Sequence, residues 1–313
     1  MTDLPTRRDR RAARLSFLVA GALLSTWAPP GPAACVTQLW CVRSVTPAGP
    51  AQLSGALGIA VDHRGSIVIA DTGNHRVLVL TTEGESEREF GGYGWEPSRF
   101  DGPADLAVYP GFYVYVLDRG NRRVQRFDKD GNYVDTVVGD GALESPVAVA
   151  VGRSGEVLLL DADARSVLVF SRFGQAMPPI GRFGAGAGGL VAPAGIAVGP
   201  RGEIAVADPG RRSVEVFDEF GAHVRSVTAP DSLTPVAVAF DRQANLFVAD
   251  EARGRVLAFS AQGVLTAELV RDDAGLAFRP TDLAPASDGS LVVLDGAGGR
   301  FLSVTVDYGD CRQ

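Results

Sequence analysis

An aspartate recurs six times along this chain, at Asp71, Asp118, Asp161, Asp208, Asp250 and Asp295, each closing a short apolar run, at intervals of 47, 43, 47, 42 and 45 residues. Other positions keep the same register. Alanine stands eleven residues before each aspartate (Ala60, Ala107, Ala150, Ala197, Ala239, Ala284), and an apolar residue stands six after it (Val77, Val124, Val167, Val214, Val256, Phe301). Proline lies fifteen before in five of the six (Pro103, Pro146, Pro193, Pro235, Pro280), and glycine thirteen after in five (Gly84, Gly131, Gly174, Gly221, Gly263). A period of this length marks one supersecondary unit per repeat, stacked on its neighbours because no unit can bury its own faces.

Each period parses into four strands. The first is of the type Gly58-Ile59-Ala60-Val61, followed by a tight turn such as His63-Arg64-Gly65. The second, Ile67 to Ala70 or Val157 to Leu160, is apolar on both faces and so buried on both. The aspartate opens a polar loop to a third strand such as Val77 to Leu80, and a glycine turn leads to a more polar outer strand such as Asn132 to Val138. Closing such units into a ring removes the exposed sheet edges. The sequence therefore predicts an all-β, six-bladed β-propeller of four-stranded antiparallel blades. Its repeats run over about 53–100, 101–143, 144–190, 191–230, 231–277 and 278–309.

The stretch Ile69-Ala70-Asp71-Thr72-Gly73-Asn74-His75-Arg76-Val77, matched by Leu117-Asp118-Arg119-Gly120-Asn121-Arg122-Arg123-Val124, resembles the NHL-repeat family, and the likeness extends over about residues 37 to 309. Repeats three to six keep the aspartate and the later apolar residue but lack the full Gly-Asn-His/Arg signature. The Trp-Asp and Gly-His marks of WD40 repeats are missing. The resemblance implies a six-bladed propeller. It also raises an enzymatic alternative, because some similar propellers are metal-dependent lyases and lactonases with histidines and carboxylates gathered at the axis.

The last repeat runs out of chain, since only four residues follow Gly309. The segment Cys41-Val42-Arg43-Ser44-Val45-Thr46 matches His223-Val224-Arg225-Ser226-Val227-Thr228, a fourth strand of repeat four. Residues 38–46 are therefore expected to close the final blade. Cys35 and Cys41 flank this strand, and Cys311 lies at the opposite end of the chain. A disulfide from Cys311 to either would close a loop of some 270 residues, a stabilisation of ~4–5 kcal/mol in the chain-entropy model.

Residues 1–34 read as an export signal: five arginines between Arg7 and Arg14, an apolar run from Leu15 to Trp27, then a proline-rich stretch ending Ala33-Ala34. A run of thirteen residues falls short of the roughly 20 that span a bilayer. The expected location is extracytoplasmic, with residues 35–313 as the mature domain, no transmembrane span and conditions that permit disulfides. Cys35 directly after Ala33-Ala34 is also a candidate lipid-anchor site.

Composition and placement weigh against several chemistries. A net charge of −7 lacks the positive footprint of a nucleic-acid binder. Across the six aspartate loops ten arginines face eight acids, so that face is mixed rather than basic. The three histidines separate: His63 falls in a turn on one face, His75 in a loop on the other and His223 on an outer strand. No Gly-x-Ser-x-Gly elbow occurs. Asp105 and Asp282 occupy equivalent positions two residues before the register alanine. They are weak candidates for an axial cation; the alternative is that they bond backbone amides or arginines. No cofactor and no catalytic residue is assigned. One corner is richer in recognition chemistry. The connection Phe90-Gly91-Gly92-Tyr93-Gly94-Trp95-Glu96-Pro97-Ser98-Arg99-Phe100 leads into the repeat whose loop carries Arg119, Arg122 and Arg123. Phe90 and Phe100 read as buried spacers. Tyr93, Trp95, Arg99, Arg119, Arg122 and Arg123 form the candidate binding site, aromatics beside arginines being usual anchors of interfaces. The expected function is a non-enzymatic platform for an envelope protein, peptide or polysaccharide.

Overall fold

The computed structural model describes residues 34–109, 111–139, 141–183 and 186–310. Six four-stranded antiparallel sheets follow one another along the chain. Blade one comprises Gly58–Val61, Ile67–Asp71, Arg76–Leu80 and Ser86–Gly91. Blades two to five span residues 103–138, 146–180, 195–227 and 235–269 in the same up-and-down order. Blade six takes three strands from the end of the chain, Asp282–Pro285, Leu291–Asp295 and Arg300–Asp310, and its outer strand, Ala34–Val45, from the beginning.

Period-two alternation builds the core. In the second strand of blade one, Ile67 and Ile69 pack towards blade six while Val68 and Ala70 pack towards blade two. Repeated around the ring, this gives six apolar clusters among the described residues, one for each seam between neighbouring blades. No blade has a core of its own. Each is stabilised by what it buries against two neighbours, which is why the second strands are buried throughout, but for Tyr113 at the start of blade two's.

The seam between blades five and six depends on the first described strand. Val36 and Leu39 enter its cluster, and the strand pairs with Arg300–Asp310 from Ala34↔Asp310 to Val45↔Phe301. The sequence expectation of a closing strand at 38–46 is met in place. The strand begins earlier because the last third strand runs on to Asp310 and supplies partners to Ala34. Trp40 adds a bond from Nε1 to Asp307 Oδ2 at 2.7 Å. Cys35 is buried and disulfide-bonded; Cys311 and the side chain of Cys41 lie outside the described residues.

Innermost strands approach closely at the channel. A Cβ on Gly195 would sit 2.5 Å from the Val236 carbonyl oxygen and 2.9 Å from Ala237 Cα, and one on Gly58 would sit 2.7 Å from Asp105 Cα. Both obstacles are backbone of the next blade, so a methyl group there forces the seam apart. Gly195→Ala is expected to cost about 1–3 kcal/mol, seen as a lower denaturant midpoint with unchanged slope; an unchanged midpoint would mean the seam is looser than described.

Candidate functional site

The register aspartates hold one face of the ring together. Asp71, Asp118, Asp161 and Asp208 are buried, and each accepts a backbone N–H from the incoming connection seventeen residues earlier: Ser54 at 2.8 Å, Asp101 at 2.7 Å, Glu144 at 3.0 Å and Val191 at 2.7 Å. Where arginine follows five residues later, its Nε bonds the aspartate of its own blade, at 2.8–3.0 Å for Arg76, Arg123, Arg255 and Arg300. Blade five departs from this pattern. Its connection turns at Ser232 with φ +77, Arg255 reaches out to Asp231, and Asp250 Oδ1 is buried without a hydrogen-bond partner among the described residues.

Blade two extends this bracing to the candidate corner. Asn121 Nδ2 donates to the Gly94 carbonyl at 2.9 Å. Arg123 donates from Nη1 to the Trp95 carbonyl at 2.6 Å, and from Nη2 to the carbonyls of Glu96 at 3.0 Å and Arg99 at 2.8 Å. Beneath them the wholly buried Gln125 accepts from Ser98 N–H at 2.9 Å and donates to the Arg99 carbonyl at 2.7 Å. Phe100 is buried and Phe90 partly so, both packed against Phe127. The connection 91–101 thus has its polar backbone bound inward, and what it turns outward is side chain: Tyr93 is 73% and Trp95 77% exposed. The His75 ring meets Tyr93 edge-on at 4.9 Å while its Nδ1 accepts the Gly102 N–H, which places the ring proton on Nε2.

The six residues picked from sequence therefore divide. Tyr93, Trp95, Arg99, Arg119 and Arg122 are exposed, with Arg99 spending one donor on the Gly91 carbonyl. Arg119 also lines the mouth of the central channel. Arg123 is a correction: its guanidinium is committed to Asp118 and three carbonyls, so it supports the corner and presents little to a partner. Gln125 was missed. Its signal was a polar residue where four repeats carry leucine, at Leu78, Leu168, Leu257 and Leu302. Blade four has Glu215 at that place, buried and bonded by Arg211, Ser213, His223 and Ser226. Burial pushes its carboxyl up, but these four donors outweigh burial and hold it below the usual range.

The axis is a cavity of about 530 Å³ lined by the innermost strands. Asp105 and Asp282 stand in its wall on either side of blade one. Asp105 accepts N–H groups from Val149 and Leu106, both at 2.7 Å, and Asp282 from Ile59 at 2.7 Å and Leu283 at 2.8 Å. Each thus bonds its own strand and the next blade round the ring, and neither meets an arginine in these bonds. Among the described residues, no three His, Cys, Asp or Glu side chains gather as metal ligands. Burial raises the Asp105 carboxyl to about 7 against the pull of its two amides. Burial, and then the charge of Asp105, raises Asp282 well above the ordinary range.

Six four-stranded blades round an open channel define a six-bladed β-propeller. Solved structures agree on the fold: a streptogramin B lyase has a TM-score of 0.61 at 12% identity over 86% of this chain and 98% of its own. A gluconolactonase from Xanthomonas campestris has 0.62 at 19% over 90% and 99%. The family profile of the NHL repeat matches residues 53–80, so the propeller carries an NHL repeat in its first blade. Similar curated proteins are NHL repeat-containing protein 2 of Bos taurus, 32% identical over 31% of this chain and 16% of its own length, and NHL repeat-containing protein 3 of Homo sapiens, 29% over 44% and 40%. Protein brain tumor of Drosophila melanogaster is 26% identical over 42% and 13%. Each match covers less than half of the relative's length.

Two outcomes follow. Gln125→Ala leaves the Ser98 N–H without its acceptor and takes one of two donors from the Arg99 carbonyl, which keeps Arg123, and should lower the unfolding free energy by about 1–3 kcal/mol, measured by denaturant titration. The channel carboxyls act on pH dependence in a defined direction. A carboxyl whose folded value is raised contributes stability that is full below its unfolded value of about 4 and is lost as pH rises through about 7. Acidifying from about pH 8 to about pH 5 should therefore raise the midpoint more in the parent than in Asp105→Asn. Equal rises in the two proteins would show that Asp105 does not titrate in that window.

Proposed function

We propose that the chain is an exported, non-enzymatic NHL propeller that works as a rigid binding platform, its contact surface the corner of Tyr93, Trp95, Arg99, Arg119 and Arg122. Its ligand is an envelope protein, a peptide or a polysaccharide. The observation that carries this reading is the pairing of exposure with fixation: two aromatic rings lie open to solvent on a connection whose carbonyls are held by Asn121, Arg123 and Gln125. Such rings lose little freedom on binding, which favours affinity. A second reading, an axial enzyme, draws on the shared fold of a lyase and a gluconolactonase. Against it, both axial aspartates are already bonded to strand amides, and among the described residues the channel lining includes no histidine.

Export is proposed from the leader-like residues 1–34. A disulfide between Cys35 and Cys311 fits it. Cys35 lies opposite Gly309 and Cys41 opposite Val304 on the same neighbouring strand. Cys35 and Cys41 are thus six residues apart along one strand, about 20 Å, far beyond the roughly 4.4–6.8 Å between disulfide-linked Cα atoms. That leaves Cys311, two residues past Gly309 in the sequence, as the proposed partner of Cys35. A sulfur so bonded has no valence for a lipid, so the disulfide is proposed in place of the anchor.

The test is cross-linking in the native envelope followed by affinity purification, comparing the parent with the variant Tyr93→Ala, Trp95→Ala, Arg122→Ala. A specific ligand captured by the parent and lost from the variant is the expected result. Capture of the same set by both would refute the corner. Intact mass of the exported protein, alkylated without reduction, should show one free cysteine and no lipid.

A further inference from the structure

We propose that the chain self-associates through the face opposite the aspartate loops, two copies meeting at the seam between blades three and four. The antiparallel order brings the turns between strands one and two, and between strands three and four, to that face. At this seam lies a cavity of about 190 Å³ whose wall includes Leu158, Val169, Met177, Ile180, Val198 and Ile204. Phe220 follows Glu219 of that wall in the chain, at the tip of the turn between Ser213–Phe217 and His223–Val227, and is 85% exposed. Its position is fixed by Gly221, which lies against Ile180 so closely that a Cβ would come within 2.8 Å of Ile180 Cγ1. The equivalent tip of blade three is Phe173, 73% exposed beneath the guanidinium of Arg172. Blades one, two and five carry Glu83, Asp130 and Gln262 at this tip. Two neighbouring blades have thus replaced a polar tip by an exposed phenyl ring, beside an open hole with apolar side chains and Arg153, Glu156 and Glu219 in its wall.

The charges complete a self-complementary patch. Arg153 and Glu219 both line the cavity and flank one point, 3.8 Å and 3.0 Å from the place of a Cβ on Gly202. Neither forms an ion pair among the described residues. An interface about a two-fold axis joins one patch to its own copy, so a residue that contacts a second is contacted by that second residue in return. A patch holding a knob, a hole and charges of both signs, Arg153 against Glu156 and Glu219, meets this condition: Phe220 of each copy enters the other's cavity, and Arg153 faces the other's Glu219. The size fits, since an apolar cavity of about 150 Å³ already accepts benzene. An anionic bilayer is the poorer occupant. In the turns of blades two to four on this face (128–132, 152–156, 171–175, 199–203 and 218–222), six acids stand against four bases.

The test is sedimentation of the purified full chain over a range of concentrations, with variants whose fold is checked by thermal unfolding. Self-association should be weakened about tenfold or more by Phe220→Asp, and weakened also by Arg153→Glu and by Glu219→Arg. The double exchange R153E/E219R should restore it, because both copies carry the swapped pair. Phe112→Asp, on the same face in blade two, should leave it unchanged. A chain monomeric at every concentration overturns the proposal, as does association indifferent to these changes. Co-sedimentation of a monomer with phosphatidylglycerol vesicles through Phe220 would assign the face to a membrane and equally overturn it.

Discussion

The rest of the structure depends on a buried carboxylate that reaches back along the chain. A propeller blade is held to its neighbours mainly by apolar contact, and such contact is non-directional. It sets how tightly blades press but not where a connection crosses the face. Asp71, Asp118, Asp161 and Asp208 supply that direction. Each sits at the end of a second strand, the most enclosed part of its blade, and fixes an amide seventeen residues earlier. A charged acceptor without water makes a strong bond and is costly to leave unmade. The incoming connection is therefore part of the rigid body rather than a loop laid over it.

The proposed function rests on one variation on that theme. In blade two the incoming connection carries aromatics, and its carbonyls are taken up by Asn121, Arg123 and Gln125 in addition to the aspartate. The chain's own donors satisfy the backbone, leaving Tyr93 and Trp95 outside. Blade five shows the contrast. There Arg255 bonds Asp231 as well as Asp250, the other oxygen of Asp250 has no partner among the described residues, and the connection presents no comparable aromatic pair. The opposite face is shaped by short turns, and the exposed phenyl rings of blades three and four set its character.

Much of this was legible in the residues. Six aligned aspartates, alanines and apolar positions specify blade number and strand order because each occupies a place where only one chemistry packs. The match of 41–46 to 223–228 located the closing strand. Tyr93 and Trp95 stood out for want of a packing role. The orientation of Arg123 was not legible, because it depends on carbonyls 24 to 28 residues away that a connection of unknown path brings beneath its guanidinium. Gln125 and Glu215 carried a readable sign, a polar residue in a leucine column, but which group each would satisfy required the path of the neighbouring chain. The axial bonds of Asp105 and Asp282 likewise join different blades, and no local pattern reports such contacts.

The account stands most directly on the rigidity of the corner, and hydrogen–deuterium exchange of the connection 92–101 measures it. If Asp118, Arg123 and Gln125 hold this segment as described, the amides of Gly94, Arg99, Phe100 and Asp101, which donate within the protein, exchange nearly as slowly as those of the blade-two strands. Exchange of the whole segment at the rate of an unstructured peptide would contradict the account, since the aromatics would then ride on a mobile loop and the platform would have no fixed surface to offer.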